Sequence, residues 1–180
     1  MKKRILLAAL AVFFACLNIN GENLIRPFLE SDVSAVFAYS PKLELDAAAG
    51  FSFAGGATAV KWFDGRIGAA FYSLSAKENT QQYLSFFPVF AGIRINVLPE
   101  FPVYFSAGAD YGFALCSRDF MGLQESGFSA YYSFSAAVNV KVEDNTTIAV
   151  FIENPVVISP PGIGEEVRIL KAGLKVSLAL

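Results

Sequence analysis

The segment from Gly127 to Val142 alternates strictly between apolar residues and residues that are mostly small or polar. Alternate side chains of a β-strand point to opposite faces, so the pattern predicts a strand with one apolar and one polar face. A typical soluble strand has about 5–6 residues, whereas a bilayer-crossing strand needs about 9–11, and this segment is longer still. The apolar series is Phe128, Ala130, Tyr132, Phe134, Ala136, Val138, Val140 and Val142.

The same alternation recurs along the chain and predicts eight antiparallel strands. Short connections alternate with long ones, which is the asymmetry between the periplasmic and outer sides of outer-membrane barrels. The short turns are Asp64-Gly65, 98–101 and 143–146, and the longer loops are 40–47, 76–81, 116–126 and 154–165. The predicted strands cover 25–39, 48–63, 66–75, 82–97, 101–115, 127–142, 147–155 and 166–180.

Glycines and prolines set the less regular features of this prediction. Asp64-Gly65 lies between apolar stretches and favours a type I′ hairpin turn. Gly55-Gly56 predicts a bulge within one long strand; as a turn, it would give eight strands counted from Lys42 and leave 22–41 as an extension. Pro88 removes a backbone donor from its strand and suits an edge or a bulge.

The amino terminus combines Lys2, Lys3 and Arg4 with an apolar run of about a dozen residues, which is typical of a secretory signal. We expect cleavage near Gly21, so the predicted organisation is a signal peptide over 1–21 and a barrel domain over 22–180. Lipidation of Cys16 is the alternative. Mean hydropathy is +0.47 and 54% of residues are hydrophobic, yet beyond the first twenty residues no apolar run reaches the 18 or more that a membrane helix needs.

An eight-stranded barrel has an interior just wide enough for side chains, so its inward series has to be small or mutually satisfied. The inward series includes Gly92, Gly108, Gly112, Ser129, Ser133, Ser135 and Ser177. Charges in a narrow lumen are costly unless they are paired, which predicts a polar network inside a plugged barrel. The candidate members are Glu30, Asp32, Arg94, Asp110, Lys141, Lys171 and Lys175.

With these features, residues 24–180 resemble the small eight-stranded bacterial outer-membrane barrels, the group of the OmpX, OmpW and OmpA-transmembrane types. The final segment, Leu174 to Leu180, resembles their assembly signal, although it ends in leucine and not in an aromatic residue. The resemblance implies an all-β, up-and-down transmembrane barrel, exported through the inner membrane to the outer membrane. It also implies contact with outer-membrane lipid and recognition of the last strand by the barrel-assembly machinery.

The composition offers little for catalysis. There is no histidine, which excludes histidine-based acid/base work and the Ser-His-Asp arrangement. Cys116 has no histidine partner and is expected to be structural, and no cofactor, metal or nucleic-acid partner is predicted. The sequence therefore predicts a non-enzymatic barrel serving envelope structure, binding of host or surface ligands at the outer loops, or limited passage of small solutes. The alternative is a secreted, soluble, lipocalin-like barrel that binds a hydrophobic ligand, which would need an apolar interior and a polar coat.

Overall fold

The computed structural model describes residues 25–40, 43–75, 83–120, 123–161 and 163–180. No helix in this part of the chain has the length and apolarity needed to cross a membrane. The predicted signal peptide and the predicted loop over 76–81 lie outside the described residues. The strands are β1 (Arg26–Ser40), β2 (Leu43–Glu44), β3 (Ala48–Val60), β4 (Phe63–Ser75), β5 (Tyr83–Val97), β6 (Val103–Phe120), β7 (Leu123–Glu143), β8 (Thr146–Ile158) and β9 (Val167–Ala179).

The strands form one closed antiparallel barrel. From β3 to β9 each strand pairs with the next in sequence, β1 pairs with β3, and β1 also pairs with β9 from Phe28↔Ala179 to Tyr39↔Arg168. The two-residue β2 pairs with the end of β1, on the edge that β3 occupies, and extends that edge of the sheet beyond β3. The barrel therefore has eight strands with up-and-down connections, and the predicted fold class is confirmed.

The alternation of the sequence is reproduced by the burial of the side chains. On β7, Phe128 and Phe134 are 73% and 62% exposed on the outer wall, whereas Tyr131 and Ser133 are fully buried inside. The other barrel strands follow the same rule over most of their length. One face of the sheet therefore carries apolar side chains and forms the outer wall of the barrel, and the other face encloses the lumen.

The predicted turn at Asp64-Gly65 is wrong. The chain turns three residues earlier, at Lys61 and Trp62, and Asp64 pairs with Thr58 inside the β3–β4 ladder. Asp64 points into the lumen, where its carboxylate accepts three hydrogen bonds from neighbouring side chains. A turn position would have left these donors without their acceptor, so tertiary partners override the local hairpin signal.

Gly55 and Gly56 lie within one continuous strand, as the sequence favoured, and the alternative of a turn there is wrong. They pair in unbroken register with β1 on one side and β4 on the other. The predicted bulge is displaced, because the register of β3 with β4 shifts between Thr58 and Val60. The glycine at position 56 allows close approach of the backbones, since a Cβ there would collide with the carbonyl oxygen of Gly65.

The strands at the loop end are longer than predicted. β6 and β7 continue through most of the expected loop 116–126 and remain paired up to Phe120↔Leu123. β8 likewise extends to Ile158 rather than ending at residue 155. The polar residues 117–119 and 124–126 conceal this extension, because a run of polar residues has no apolar alternation.

Two prolines interrupt the ladder rather than the strands. The β4–β5 pairing skips from Ala69↔Val89 to Tyr72↔Phe86, next to Pro88. The β8–β9 pairing skips in the same way beside Pro155, from Glu153↔Lys171 to Val156↔Arg168. Each proline thus lies where a neighbouring strand does not require its missing N–H, consistent with the expectation of a local irregularity at Pro88.

Candidate functional site

The lumen is divided along the barrel axis into three layers. At the loop end lies an apolar plug, in the middle lies an ionic layer, and at the end of the short turns lies an open cavity. The apolar plug comprises Val36, Leu45, Tyr72, Leu74, Leu84, Phe86, Cys116, Tyr131, Val157, Ile163, Val167 and Ile169, all of them buried. The ionic layer comprises Glu30, Asp32, Asp64, Arg66, Arg94, Asp110, Glu153, Lys171 and Lys175, which are also buried.

The apolar plug closes the loop end of the barrel. Its largest members, Tyr72, Phe86 and Tyr131, come from the wall and are fully buried. Two more come from connections: Leu45 precedes β3, Ile163 precedes β9, and both are less than 10% exposed. Burial of apolar area at about 25 cal/mol per Å² makes this layer a second source of stability besides the backbone ladder. The sequence did not predict it, since only small or polar side chains were expected inside.

Two arginines connect three acids in the centre of the ionic layer. Arg66 donates to both oxygens of Asp110 at 3.0 and 2.6 Å, and its Nη1 lies 2.5 Å from Glu30 Oε1. Arg94 binds the other oxygen of Glu30 at 2.6 Å and reaches Asp64 Oδ2 with its Nε at 2.8 Å. The result is an alternating row of charges that joins β1, β4, β5 and β6 across the lumen.

A second group of charges lies on the opposite wall. Lys171 donates to Glu153 at 3.1 Å and lies 3.6 Å from Asp32 Oδ1. Its ammonium also lies over the rings of Tyr72 and Phe151, at 5.2 and 5.3 Å from their centroids. Glu153 accepts a further hydrogen bond from Tyr131, which links this group to the apolar plug. Lys175, also on β9, places its ammonium 5.4 Å from the centroid of the same Phe151 ring.

The structure brings six of the seven predicted lumen residues into the ionic layer and leaves Lys141 outside. Lys141 belongs to the inward series of β7, but it lies close to the turn, where it is exposed and 5.9 Å from the ring centroid of Tyr104. Strand ends reach beyond the enclosed part of a barrel. A residue in the inward series of a strand is therefore not necessarily buried.

Three members of the ionic layer were not predicted: Asp64, Arg66 and Glu153. The Asp64-Gly65 turn signal places Asp64 in a connection and Arg66 at the first position after it, which conceals that both side chains point into the lumen. Moving the turn to Lys61-Trp62 would have placed both on the inward series of β4. On β8, Glu153 follows the inward residues Ala149 and Phe151 at a spacing of two. This spacing is the sequence signal that would have predicted an inward Glu153.

Close packing around the ionic layer requires some of the inward glycines. A Cβ at Gly92 would collide with the carboxylate of Asp110, which lies on the neighbouring strand. Asp110 in turn is held by Arg66 and by Ser133, whose hydroxyl donates to it at 2.9 Å. The glycine thus makes room for the carboxylate that Arg66 binds.

The turn end of the lumen is an open cavity of about 510 Å³. Its floor is formed by the Asp64–Arg94 pair together with Asn96, whose carboxamide donates to Asp64 at 3.0 Å. Phe28 and Tyr104 form aromatic walls, and the guanidinium of Arg94 lies 5.1 Å from the Phe28 ring centroid. The remaining lining residues are Arg26, Thr58, Lys61, Pro99, Glu100, Lys141, Asp144, Asn145, Thr147, Ser177 and Ala179.

The ionic layer is suited to filling and fixing the lumen. Buried ion pairs add little net stability over apolar packing, but loss of one partner leaves an uncompensated buried charge and costs about 3–5 kcal/mol. Within the described residues, no group of three or more acidic or cysteine side chains is arranged to hold a metal ion. Bidentate and charge-assisted bonds instead fix the register and spacing of the strands that carry them.

Comparison with solved structures identifies the same architecture in other proteins. Neisserial surface protein A gives a TM-score of 0.65 at 15% identity, covering 86% of this chain and 97% of that chain. The N-terminal β-barrel domain of OprF from Pseudomonas aeruginosa gives 0.59 at 8% identity, covering 85% and 97%. Ail, the attachment invasion locus protein of Yersinia pestis, gives 0.57 at 12% identity, covering 86% and 98%.

These similarities show the fold and nothing finer, because the identities are low. The chain has the fold of the small eight-stranded outer-membrane barrels, as the resemblance of its sequence implied. No protein-family model matches the sequence, and no curated protein matches it either.

Proposed function

We propose that this chain is an integral protein of the bacterial outer membrane, a closed barrel that acts through the surface at its loop end. The observation that carries the proposal is the apolar outer wall. Leucine, isoleucine, valine and phenylalanine side chains that a soluble protein would bury are exposed on every barrel strand. Large exposed apolar areas mark contact with lipid or with partners, and a wall that encircles the whole barrel fits lipid.

Aromatic residues at the two ends of this wall support the same assignment. Trp62 and Phe101 are 64% and 53% exposed near the short turns, and Tyr39 and Phe128 are 67% and 73% exposed towards the loops. Rings at these two levels correspond to the aromatic girdles that flank the apolar band of outer-membrane barrels. By the same comparison, we propose that the short turns, the start of β1 and the end of β9 face the periplasm.

The lumen favours a closed barrel over a conducting one. A solute would have to pass both the ionic layer, where Arg66 and Arg94 span the interior, and the apolar plug at the loop end. Moving either arginine breaks buried ion pairs at 2.5–2.8 Å. We therefore favour a role in envelope structure or surface interaction over limited passage of small solutes.

The length of β6 and β7 favours surface interaction. They have 18 and 21 residues, whereas the other barrel strands have 13 or 15. Their paired ends form a hairpin, 117–126, that carries polar residues such as Glu125 and Ser126 in exposed positions. The paired segments 117–120 and 123–126 extend β6 and β7 towards the outer side, and we propose them as the principal contact surface for ligands.

The apolar outer wall of the barrel does not support the alternative of a soluble, lipocalin-like protein. That alternative needs a polar exterior around an apolar interior, but the exterior is apolar and ionic groups fill the middle of the lumen. No observation on the described residues favours an enzymatic function, and we propose none. Insertion by the barrel-assembly machinery through β9, whose outward series includes Leu174, Val176 and Leu178, remains part of the proposal.

Cell fractionation tests the membrane assignment directly. We expect the mature chain in the outer-membrane fraction, soluble only with detergent, and migrating differently on gels before and after boiling. A matched variant, Phe134→Lys, places a charge on the centre of the outer wall and should reduce the folded, heat-modifiable form, whereas Glu125→Lys at the hairpin should not. Recovery of the unmodified chain as a detergent-free soluble monomer would refute the proposal.

A further inference from the structure

The cavity at the turn end is lined by more bases than acids. Arg26, Arg94 and Lys141 occupy inward positions on β1, β5 and β7, and Asp64 is the single acid among the strand residues that line it. The other two acids, Glu100 and Asp144, lie on turns at the rim, and Lys61 on a third turn offsets one of them. With four bases and three acids, the lining carries a net charge of +1, and two of the bases, Arg26 and Lys141, are exposed at the strand ends that border the cavity.

The acid in this wall is already satisfied. Asp64 Oδ1 accepts from Thr58 at 2.8 Å, and Oδ2 accepts from Arg94 and Asn96 at 2.8 and 3.0 Å. These donors occupy both oxygens of Asp64 and leave it little capacity for an incoming cation. Among the described residues, the bases Arg26, Lys61 and Lys141 make no ion pair, so they keep their full charge for a ligand.

Arg94 presents unused donors at the floor of the cavity. Its Nε bonds to Asp64 and its Nη1 bonds to Glu30, while its Nη2 makes no hydrogen bond to a described residue. The guanidinium is fixed in place by these two acids and by the ring of Phe28, so the free nitrogen needs no reorganisation to bind. Pre-positioned arginine donors suit phosphate and carboxylate oxygens.

We propose that this cavity, which we call the turn-end vestibule, binds a small polar molecule carrying a phosphate or carboxylate group. The oxyanion would contact the free edge of Arg94 and the ammonium of Lys141, and the rest of the molecule would meet Thr147, Ser177 and Tyr104. A volume of about 510 Å³ lies within the range of small-molecule sites and exceeds what a bare phosphate fills. A free metabolite and the headgroup of a phospholipid at the nearby membrane surface offer the same chemistry.

The site can be tested by NMR titration of the full mature chain in zwitterionic micelles, with glycerol 3-phosphate as the probe and sodium chloride holding ionic strength constant. We expect saturable shifts of the amides of Asn96, Thr147 and Ser177, without matching shifts in the 117–126 hairpin. The double variant Arg26→Gln/Lys141→Gln should weaken binding by about tenfold or more, because one charged contact and a second positive charge in the lining are lost. Both residues are exposed, so the variant is expected to fold, and heat-modifiable migration checks this.

Arg168→Gln is the matched control, because it removes an exposed positive charge at the loop end, where Arg168 pairs with Glu166. It should change the affinity by less than about twofold. A second arm places the barrel in bilayer discs of phosphatidylcholine with or without phosphatidylglycerol. Shifts of the same amides with phosphatidylglycerol, but not with glycerol 3-phosphate, would assign the site to a lipid headgroup.

The proposal is overturned if neither probe shifts these amides, if the response does not saturate, or if the double variant binds as tightly as the unmodified chain. This site depends on the geometry of the lumen and not on the role of the hairpin. Fractionation and titration therefore fail independently: a chain that is in the membrane but does not bind the probe would leave the proposed function standing.

Discussion

Asp110→Ala is the sharpest test of the ionic layer. The side chain of Asp110 is fully buried, and it accepts two bonds from Arg66 at 3.0 and 2.6 Å and one from Ser133 at 2.9 Å. Its removal leaves the buried guanidinium of Arg66 with Glu30 alone, which it shares with Arg94. Loss of one partner of a buried ion pair costs about 3–5 kcal/mol, so we expect a decrease of that size in the free energy of unfolding.

The assay is equilibrium unfolding by guanidinium chloride in micelles, followed by circular dichroism of the β-sheet. Glu100→Ala is the control, because it removes an exposed carboxylate from a turn and should change stability by less than about 0.5 kcal/mol. The double variant Arg66→Met/Asp110→Ala should be less destabilised than the sum of its single variants, since it removes the uncompensated charge. A loss below about 1 kcal/mol for Asp110→Ala would show that the network does not hold the lumen together.

Further predictions concern the other layers. Phe86→Ala empties the centre of the apolar plug and should cost about 3–5 kcal/mol in the same assay, whereas no loss would mean that the plug is not packed. Gly92→Ala should destabilise the barrel because its Cβ collides with Asp110, and the double variant with Asp110→Ala should lose less stability than the sum of the two single variants; an additive result would contradict the collision. In planar bilayers the unmodified chain should give no large, stable conductance, and neither should Asp110→Ala, because the plug remains in place; a wide channel in either would disprove the closed lumen.

The barrel could be predicted because each of its strands has to place apolar side chains on one face and small or polar side chains on the other. A closed sheet with lipid on one side and a narrow interior on the other demands strict alternation, which the sequence shows most clearly over 127–142. The count of eight barrel strands and the placement of Glu30, Asp110 and Lys171 inside follow from that alternation. Where alternation fades, the prediction fails: residues 117–119 and 124–126 are polar at consecutive positions, so the sequence predicts a loop where the strands continue.

The position of the β3–β4 turn and the apolar plug could not be predicted, because they depend on contacts between residues far apart in the sequence. The Asp64-Gly65 pair has the composition of a tight turn, but Asp64 is needed in the lumen by Thr58, Arg94 and Asn96. Arg66, the centre of the ionic layer, was missed with it. The apolar plug was unexpected because the inward residues of adjacent strands at the loop end, such as Tyr72 and Phe86, form a cluster only once the strand register is known.

The account depends most directly on which wall of the barrel meets lipid. Single nitroxide labels placed along 130–137 of β7 in liposomes, in a Cys116→Ser background, would report this through their accessibility to dissolved oxygen. We expect high accessibility at the even positions, from Ala130 to Ala136, and low accessibility at the odd positions, from Tyr131 to Ala137. Uniform accessibility, or the opposite alternation, would show that the apolar wall does not face the bilayer.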